Sequence, residues 1–172
     1  MQTSFAATLP LGFTSTAELM DLELSEAVPA EAVMERLNAV LPEGLCIQEA
    51  GDGILAFKKL AFARYRIMAS SEAPAQLHRA LDAFLAQPEI ITEKRTKKGG
   101  MKTVDLKPMV TAEGAAESPD GLEIRLCLPA GSSASLNPML LLDTWQKQDG
   151  FTLPLREICR TELLTEEKQK FF

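Results

Sequence analysis

Residues 122–128 alternate without a break, with Leu122, Ile124, Leu126 and Leu128 separated by Glu123, Arg125 and Cys127. A period of two puts the apolar set on one side of an extended chain, so this segment is a strand with one face on a core. Such a strand demands neighbours for its backbone and a second layer for its apolar face. The surrounding sequence offers both.

Residues 60–70 alternate in the same way: Phe62, Arg64, Arg66 and Met68 take one face and Ala63, Tyr65 and Ile67 the other. Ser70 or Ser71 can cap the helix that follows, with Pro74 in its first turn. Leu77, Leu81, Phe84 and Leu85 recur at helical spacing, and Pro88 stops the helix. Ile90 and Ile91 open a strand, Gly99-Gly100 forms a turn, and residues 101–110 are the returning strand. Residues 111–120, Thr-Ala-Glu-Gly-Ala-Ala-Glu-Ser-Pro-Asp, read as a polar loop. Beyond the alternating strand, Asn137 caps a helix with Pro138 at its first position and Leu141, Leu142 and Trp145 facing inward. Gly150 ends it, and residues 155–164 are a last strand.

The order from residue 60 is β-α-β(β)-β-α-β. It predicts an α+β fold, a ferredoxin-like β-α-β-β-α-β sandwich over residues 53–172 with an inserted hairpin at 93–110. Residues 1–52 read as a partial ferredoxin-like half-domain. Leu9-Pro-Leu-Gly12 is a turn, Met20, Leu22 and Leu24 a strand, and Val33, Leu37, Val40 and Leu41 a helix opening at Pro29. Pro42-Glu-Gly44 ends that helix, and Leu45, Ile47 and Gln48 begin another strand. One β-α-β unit cannot cover its own edges and core, so it calls for further strands.

The inserted hairpin is unusual in charge. Lys94, Arg95, Lys97, Lys98, Lys102 and Lys107 face one acid, Asp105, a local +5 in a chain of net charge −6, which leaves −11 for the rest. The overall acidity excludes a general nucleic-acid binder, so any such role is local. One Trp, one Tyr and eight Phe are too few for a base-stacking platform. On the hairpin, Lys94, Arg95, Lys97, Lys98 and Lys102 can grip phosphates, with Gly99 and Gly100 letting backbone N–H groups approach. The alternatives are an acidic protein surface, or a solvated tip whose lysines keep strand edges apart. Arg64 and Arg66 share a strand face and would extend the basic surface over the sheet, the face many ferredoxin-like RNA binders use. Against that, Phe62 and Tyr65 fall on opposite faces and no paired aromatics appear, so an ordinary strand face is the plainer reading. Ser132, Ser133 and Ser135 run into a helix N-terminus, a place for phosphate or carboxylate, although an ordinary loop and cap uses the same residues.

Nothing points to a reaction. One histidine, His78, makes no Ser-His-Asp triad, and Cys46, Cys127 and Cys159 are too far apart for a clustered metal site. Asp21 and Glu23 are explained by an amphipathic strand, and Cys127 falls outward by alternation with no base beside it. No cofactor or metal is expected. An odd, scattered set of cysteines suits a reducing cytoplasm, and no signal peptide or membrane-length apolar run is visible.

Several phrases carry a family resemblance. They are Phe5-Ala-Ala-Thr-Leu-Pro-Leu-Gly-Phe-Thr-Ser-Thr-Ala-Glu18, Asp21-Leu-Glu-Leu24 and Leu37-Asn-Ala-Val-Leu-Pro-Glu-Gly44 in the first half-domain. Later come Lys97-Lys-Gly-Gly-Met-Lys-Thr-Val-Asp-Leu-Lys-Pro108, Ala130-Gly-Ser-Ser-Ala-Ser-Leu-Asn-Pro138 and Arg160-Thr-Glu-Leu163. Together they resemble the radical SAM-linked proteins, an uncharacterised bacterial family fused to, or encoded beside, B12-binding radical SAM proteins. The resemblance implies a radical SAM/B12-binding partner. It also implies a missing segment before Leu9-Pro-Leu-Gly12, so that the chain is a C-terminal piece or a truncation. It places no radical SAM chemistry here, since the cysteines lack the Cys-x3-Cys-x2-Cys spacing.

The expectation is a non-catalytic, cytoplasmic substrate-recognition module that binds RNA through its basic hairpin. The rival is an interaction or scaffold domain that pairs with a partner chain, or forms a homodimer through its N-terminal unit.

Overall fold

The two alternating segments become the centre of a sheet. The structure, a computed structural model, describes residues 2–53, 55–95 and 99–171. Its strands are β1 (Gln2–Phe5), β2 (Thr14–Ser15), β3 (Met20–Glu23), β4 (Phe62–Ser70), β5 (Ile91–Arg95), β6 (Met101–Asp105), β7 (Thr111–Ser118), β8 (Gly121–Pro129) and β9 (Leu155–Leu164). The helices are α1 (Ala30–Asn38), α2 (Pro74–Leu85) and α3 (Pro138–Asp149). The fold is mixed α+β, with more strand than helix.

Five strands form the main sheet in the order β2-β9-β4-β8-β7. β4 is antiparallel to both β8 and β9, β7 is antiparallel to β8, and β2 is parallel to β9. Opposite Ala63, Tyr65, Ile67 and Ala69 stand Leu128, Leu126, Ile124 and Leu122, so the two apolar sets share one face. All eight are buried. Helices α2 and α3 cover that face through Leu81, Phe84, Leu141, Leu142 and Trp145. Phe84 of α2 stacks on Trp145 of α3 at 5.8 Å between centroids, and Phe151 meets the indole edge-on at 4.9 Å. Burying this set stabilises the fold by about 1.5–3 kcal/mol per large side chain.

Four expectations are corrected. Residues 111–118 are not a loop but the edge strand β7, joined to β8 through Pro119 and Asp120, with Ser118 opposite Gly121. An edge strand needs one partner for its backbone and little apolar side chain, and here only Ala115 and Ser118 are even partly buried. The strand after the hairpin turn ends at Asp105, because Leu106 turns into the core and residues 107–109 make a single 3-10 turn around Pro108. Residues 45–48 form no strand: the Asn38 side chain accepts from the Ile47 N–H at 2.7 Å and donates to its carbonyl at 3.0 Å, so a side chain takes the place of a ladder. Neither Ser70 nor Ser71 caps α2: the residue at the cap is Ala73, and Ser71 Oγ accepts from Ala73 N, at 3.1 Å, in the turn before the helix, which Pro74 opens.

The first 52 residues also contain strands that periodicity did not reveal. β1 pairs with β3 in a separate two-stranded sheet, and β2 adds to the edge of the main sheet. This second attachment is built on Arg160. Its backbone carbonyl accepts from Thr16 N at 2.9 Å and from Ser15 Oγ at 3.1 Å. Its guanidinium, 1% exposed as a residue, donates to the Thr8 carbonyl at 3.0 Å, and its Nε lies 3.0 Å from Glu18 Oε1. That last N–H is not aimed along the contact, so the attraction to Glu18 is coulombic.

Candidate anion-binding hairpin

The β5–β6 ribbon is a two-stranded sheet of its own, anchored at its base. Ile90 and Leu106 flank the base fully buried, and Leu106 N donates to the Ile90 carbonyl at 2.8 Å. Asp105 closes the base, one carboxylate oxygen accepting from Ile90 N at 2.8 Å and Lys107 N at 2.9 Å. Lys107 donates its ammonium to the Leu85 carbonyl, so it caps the C-terminus of α2 and is withdrawn from the basic set. Thr144 of α3 donates to Thr92 Oγ1 at 2.9 Å and holds the ribbon against the helix layer.

Above this base the register pairs Thr92 with Val104, Glu93 with Thr103, Lys94 with Lys102 and Arg95 with Met101. Lys94 and Lys102 therefore stand directly opposite one another on one ribbon face, both exposed. Among the described residues neither has an ion-pair partner. Like charges facing across a ribbon repel, at a cost of a few tenths of a kcal/mol to about 1 kcal/mol, and an anion between them reverses the sign. The facing pair was not visible in the basic run; only a register counted back from the turn would have found it. Gly99 has φ +85° just before β6. Lys97 and Lys98 lie outside the described residues.

Ser132, Ser133 and Ser135 are exposed in the loop after β8, and Ala130 bridges back to Ser135. Gly131 fits there only because it lacks a side chain: a Cβ would lie 2.4 Å from the Leu60 carbonyl oxygen. The first turn of α3 is already capped by Asn137 Oδ1, which accepts from Met139 N at 2.9 Å. Thr111 at the start of β7 pairs with Cys127 near the end of β8, so this loop and the base of the ribbon leave the same end of the sheet.

Arg64 and Arg66 are elsewhere, on the sheet face away from the helices. Arg64 Nε donates to both carboxylate oxygens of Glu113, at 2.8 and 2.9 Å, and its Nη1 pairs with Glu162. Those two acids raise its pKa above the ordinary arginine value. Arg66 pairs with Glu157 at 3.1 Å, and Arg125 with Glu123 at 2.9 Å. Cation and anion alternate across this face, which leaves it close to neutral. Cys127 lies on it too but is buried, 1% exposed. Burial, then the nearby Glu113, pushes its thiol pKa up, so the nucleophilic thiolate is disfavoured. His78 ties α2 to β7 through Glu117 at 2.8 Å. Among the described residues no three His, Cys, Asp or Glu side chains are grouped to hold a metal ion, and no helix is long and apolar enough to cross a membrane.

The class defined by these features is an α+β protein with an antiparallel core sheet, two helices on one face and a basic ribbon outside it. Residues 1–138 match DUF2344, described as an uncharacterised protein conserved in bacteria, and the chain belongs to that family. No curated protein and no solved structure matches it.

Proposed function

We propose that this chain is a non-catalytic recognition module that binds RNA phosphates through the β5–β6 ribbon. The carrying observation is Lys94 facing Lys102 without an acid partner among the described residues, on a ribbon held firmly at its base. The ribbon is carried by a ferredoxin-like sandwich. The antiparallel order β9-β4-β8-β7 supports that reading, as do helices between β4 and β7 and between β8 and β9. Sheet-face RNA recognition is disfavoured, because Arg64 and Arg66 are already paired with Glu113, Glu162 and Glu157. A cytoplasmic radical SAM/B12-binding protein is the partner implied by the resemblance of phrases such as residues 97–108. In that assembly this chain would hold the substrate and the partner would supply the chemistry.

Electrophoretic shift with tRNA and rRNA fragments at two salt concentrations tests the reading. About four phosphate contacts at ~0.7–0.9 each give a slope of log affinity against log salt near −3. Lys94→Glu with Lys102→Glu removes the shift, whereas Arg66→Ala leaves it. Absence of binding by the unaltered chain, or binding that survives the lysine reversals, refutes the proposal.

A further inference from the structure

The exposed large apolar side chains among the described residues fall in two places. Phe5, Leu11, Leu24, Val40 and Leu45 belong to the N-terminal unit, and Ile91 and Met101 belong to the ribbon. The same two places carry the opposite extremes of charge. Residues 1–52 hold nine acids against one base, Arg36, a net −8, whereas residues 94–107 are +5. An exposed apolar patch rimmed by charge marks a surface built to be covered.

The N-terminal unit is left uncovered in detail. Helix α1 has an apolar stripe, Val33, Met34 and Leu37, yet buries none of its residues fully. β1 and β3 pair only with each other among the described residues, leaving an open edge on each side. On the ribbon, Ile91 and Met101 share the face opposite Lys94 and Lys102: Met101 stands across from Arg95, and Ile91 and Arg95 are an even number of residues apart.

We infer that the β1–β3–α1 unit is a docking surface for the β5–β6 ribbon of a second copy of this chain. Acid against base steers the two copies together at a distance, and the ribbon face that carries Ile91 and Met101, opposite Lys94 and Lys102, then packs on Val40 and Leu45 of the N-terminal unit. The contact forms between copies because the N-terminal unit joins the sheet at β9, whereas the ribbon leaves from the connection leading to β7, the other edge. Each copy offers one surface of each kind, so the contact is head-to-tail. The inference does not rest on RNA binding, although a polyanion would compete for the same lysines.

Sedimentation velocity on the full chain tests it. The expected result is an average mass that rises with concentration at low salt, with association weakened about tenfold or more at high salt. One variant carries Glu26→Lys, Glu31→Lys and Glu35→Lys; a second carries Lys94→Glu and Lys102→Glu. Each alone stays monomeric, and mixing the two restores association, because each then meets a partner of opposite charge. All changed side chains are exposed, and unchanged far-ultraviolet circular dichroism verifies that both variants are folded. A third variant, Met101→Ser, keeps the charges and weakens association. The first variant retains RNA binding while the second loses it, which separates this inference from the RNA reading. A wild-type chain that is monomeric at low salt, or a mixture that does not associate, overturns it.

Discussion

Glu162 is held by two cations at once, Arg64 from the neighbouring strand and Lys170 at 2.6 Å from the C-terminal tail. Burial alone would raise its carboxyl pKa; the hydrogen bonds from Lys170 and Arg64 together outweigh it, and the pKa lies below the usual carboxylate value. A carboxylate with a depressed folded pKa stabilises the fold above its unfolded value, about 4.3, and that contribution is lost as pH falls through the lower folded pKa. Glu162→Gln should therefore cost about 1 kcal/mol at neutral pH, with the difference from wild type shrinking as pH drops below about 4. Urea titrations of both proteins across that range measure it; a difference independent of pH would refute the assignment. Residue type and alternation already placed Arg64 on the outer face. Its partners did not show, because Glu113 and Glu162 come from strands 49 and 98 positions away.

At the scale of elements, Arg160 decides how the N-terminal segment is attached. It is buried in β9 between Glu18 and the Thr8 carbonyl, beside Tyr65, whose ring meets Phe13 edge-on at 6.4 Å. Burial raises the Tyr65 phenol pKa despite the nearby Arg160 charge, so the phenol stays neutral. Arg160→Ala leaves Glu18 and the Thr8 carbonyl without their partner and opens a cavity, at a cost of about 3–5 kcal/mol; Arg160→Met costs less. Chemical denaturation ranks the two. Hydrogen exchange in Arg160→Ala should show faster exchange at Thr16 N, which bonds the Arg160 carbonyl, while β4 and β8 remain protected. Equal protection at Thr16 in both proteins would remove this role. Most strands and helices were legible: β3, β4, β5, β6, β8, β9, α1, α2 and α3 follow from periodicity, Pro and turn residues. β7 was not, because a small polar sequence becomes a strand only when β8 offers it a partner. Nor was the loss of a strand at 45–48, where Asn38 takes both backbone groups of Ile47.

For the whole molecule, the single Trp145 is 0% exposed between Phe84 and Phe151, with its N–H donated to Asp149 at 2.9 Å. Its fluorescence reports the sheet–helix core. Trp145→Ala should cost about 3–5 kcal/mol. In the wild type, the fluorescence transition should coincide with the sheet signal in circular dichroism; separate transitions would show that helices and sheet do not unfold as one unit.

The sequence by itself determined the alternating strands, the amphipathic helices and a basic run in an acidic chain, because periodicity and charge are local properties. It also placed the run on a hairpin. Only the tertiary structure decided that Lys94 faces Lys102 while Lys107 caps α2, that Arg64 and Arg66 are neutralised by acids, and that Arg160 binds residues about 150 positions away. The physical reason is one of distance. Register, ion pairing and burial depend on which segments meet across the fold, and spacing along the chain does not encode that meeting.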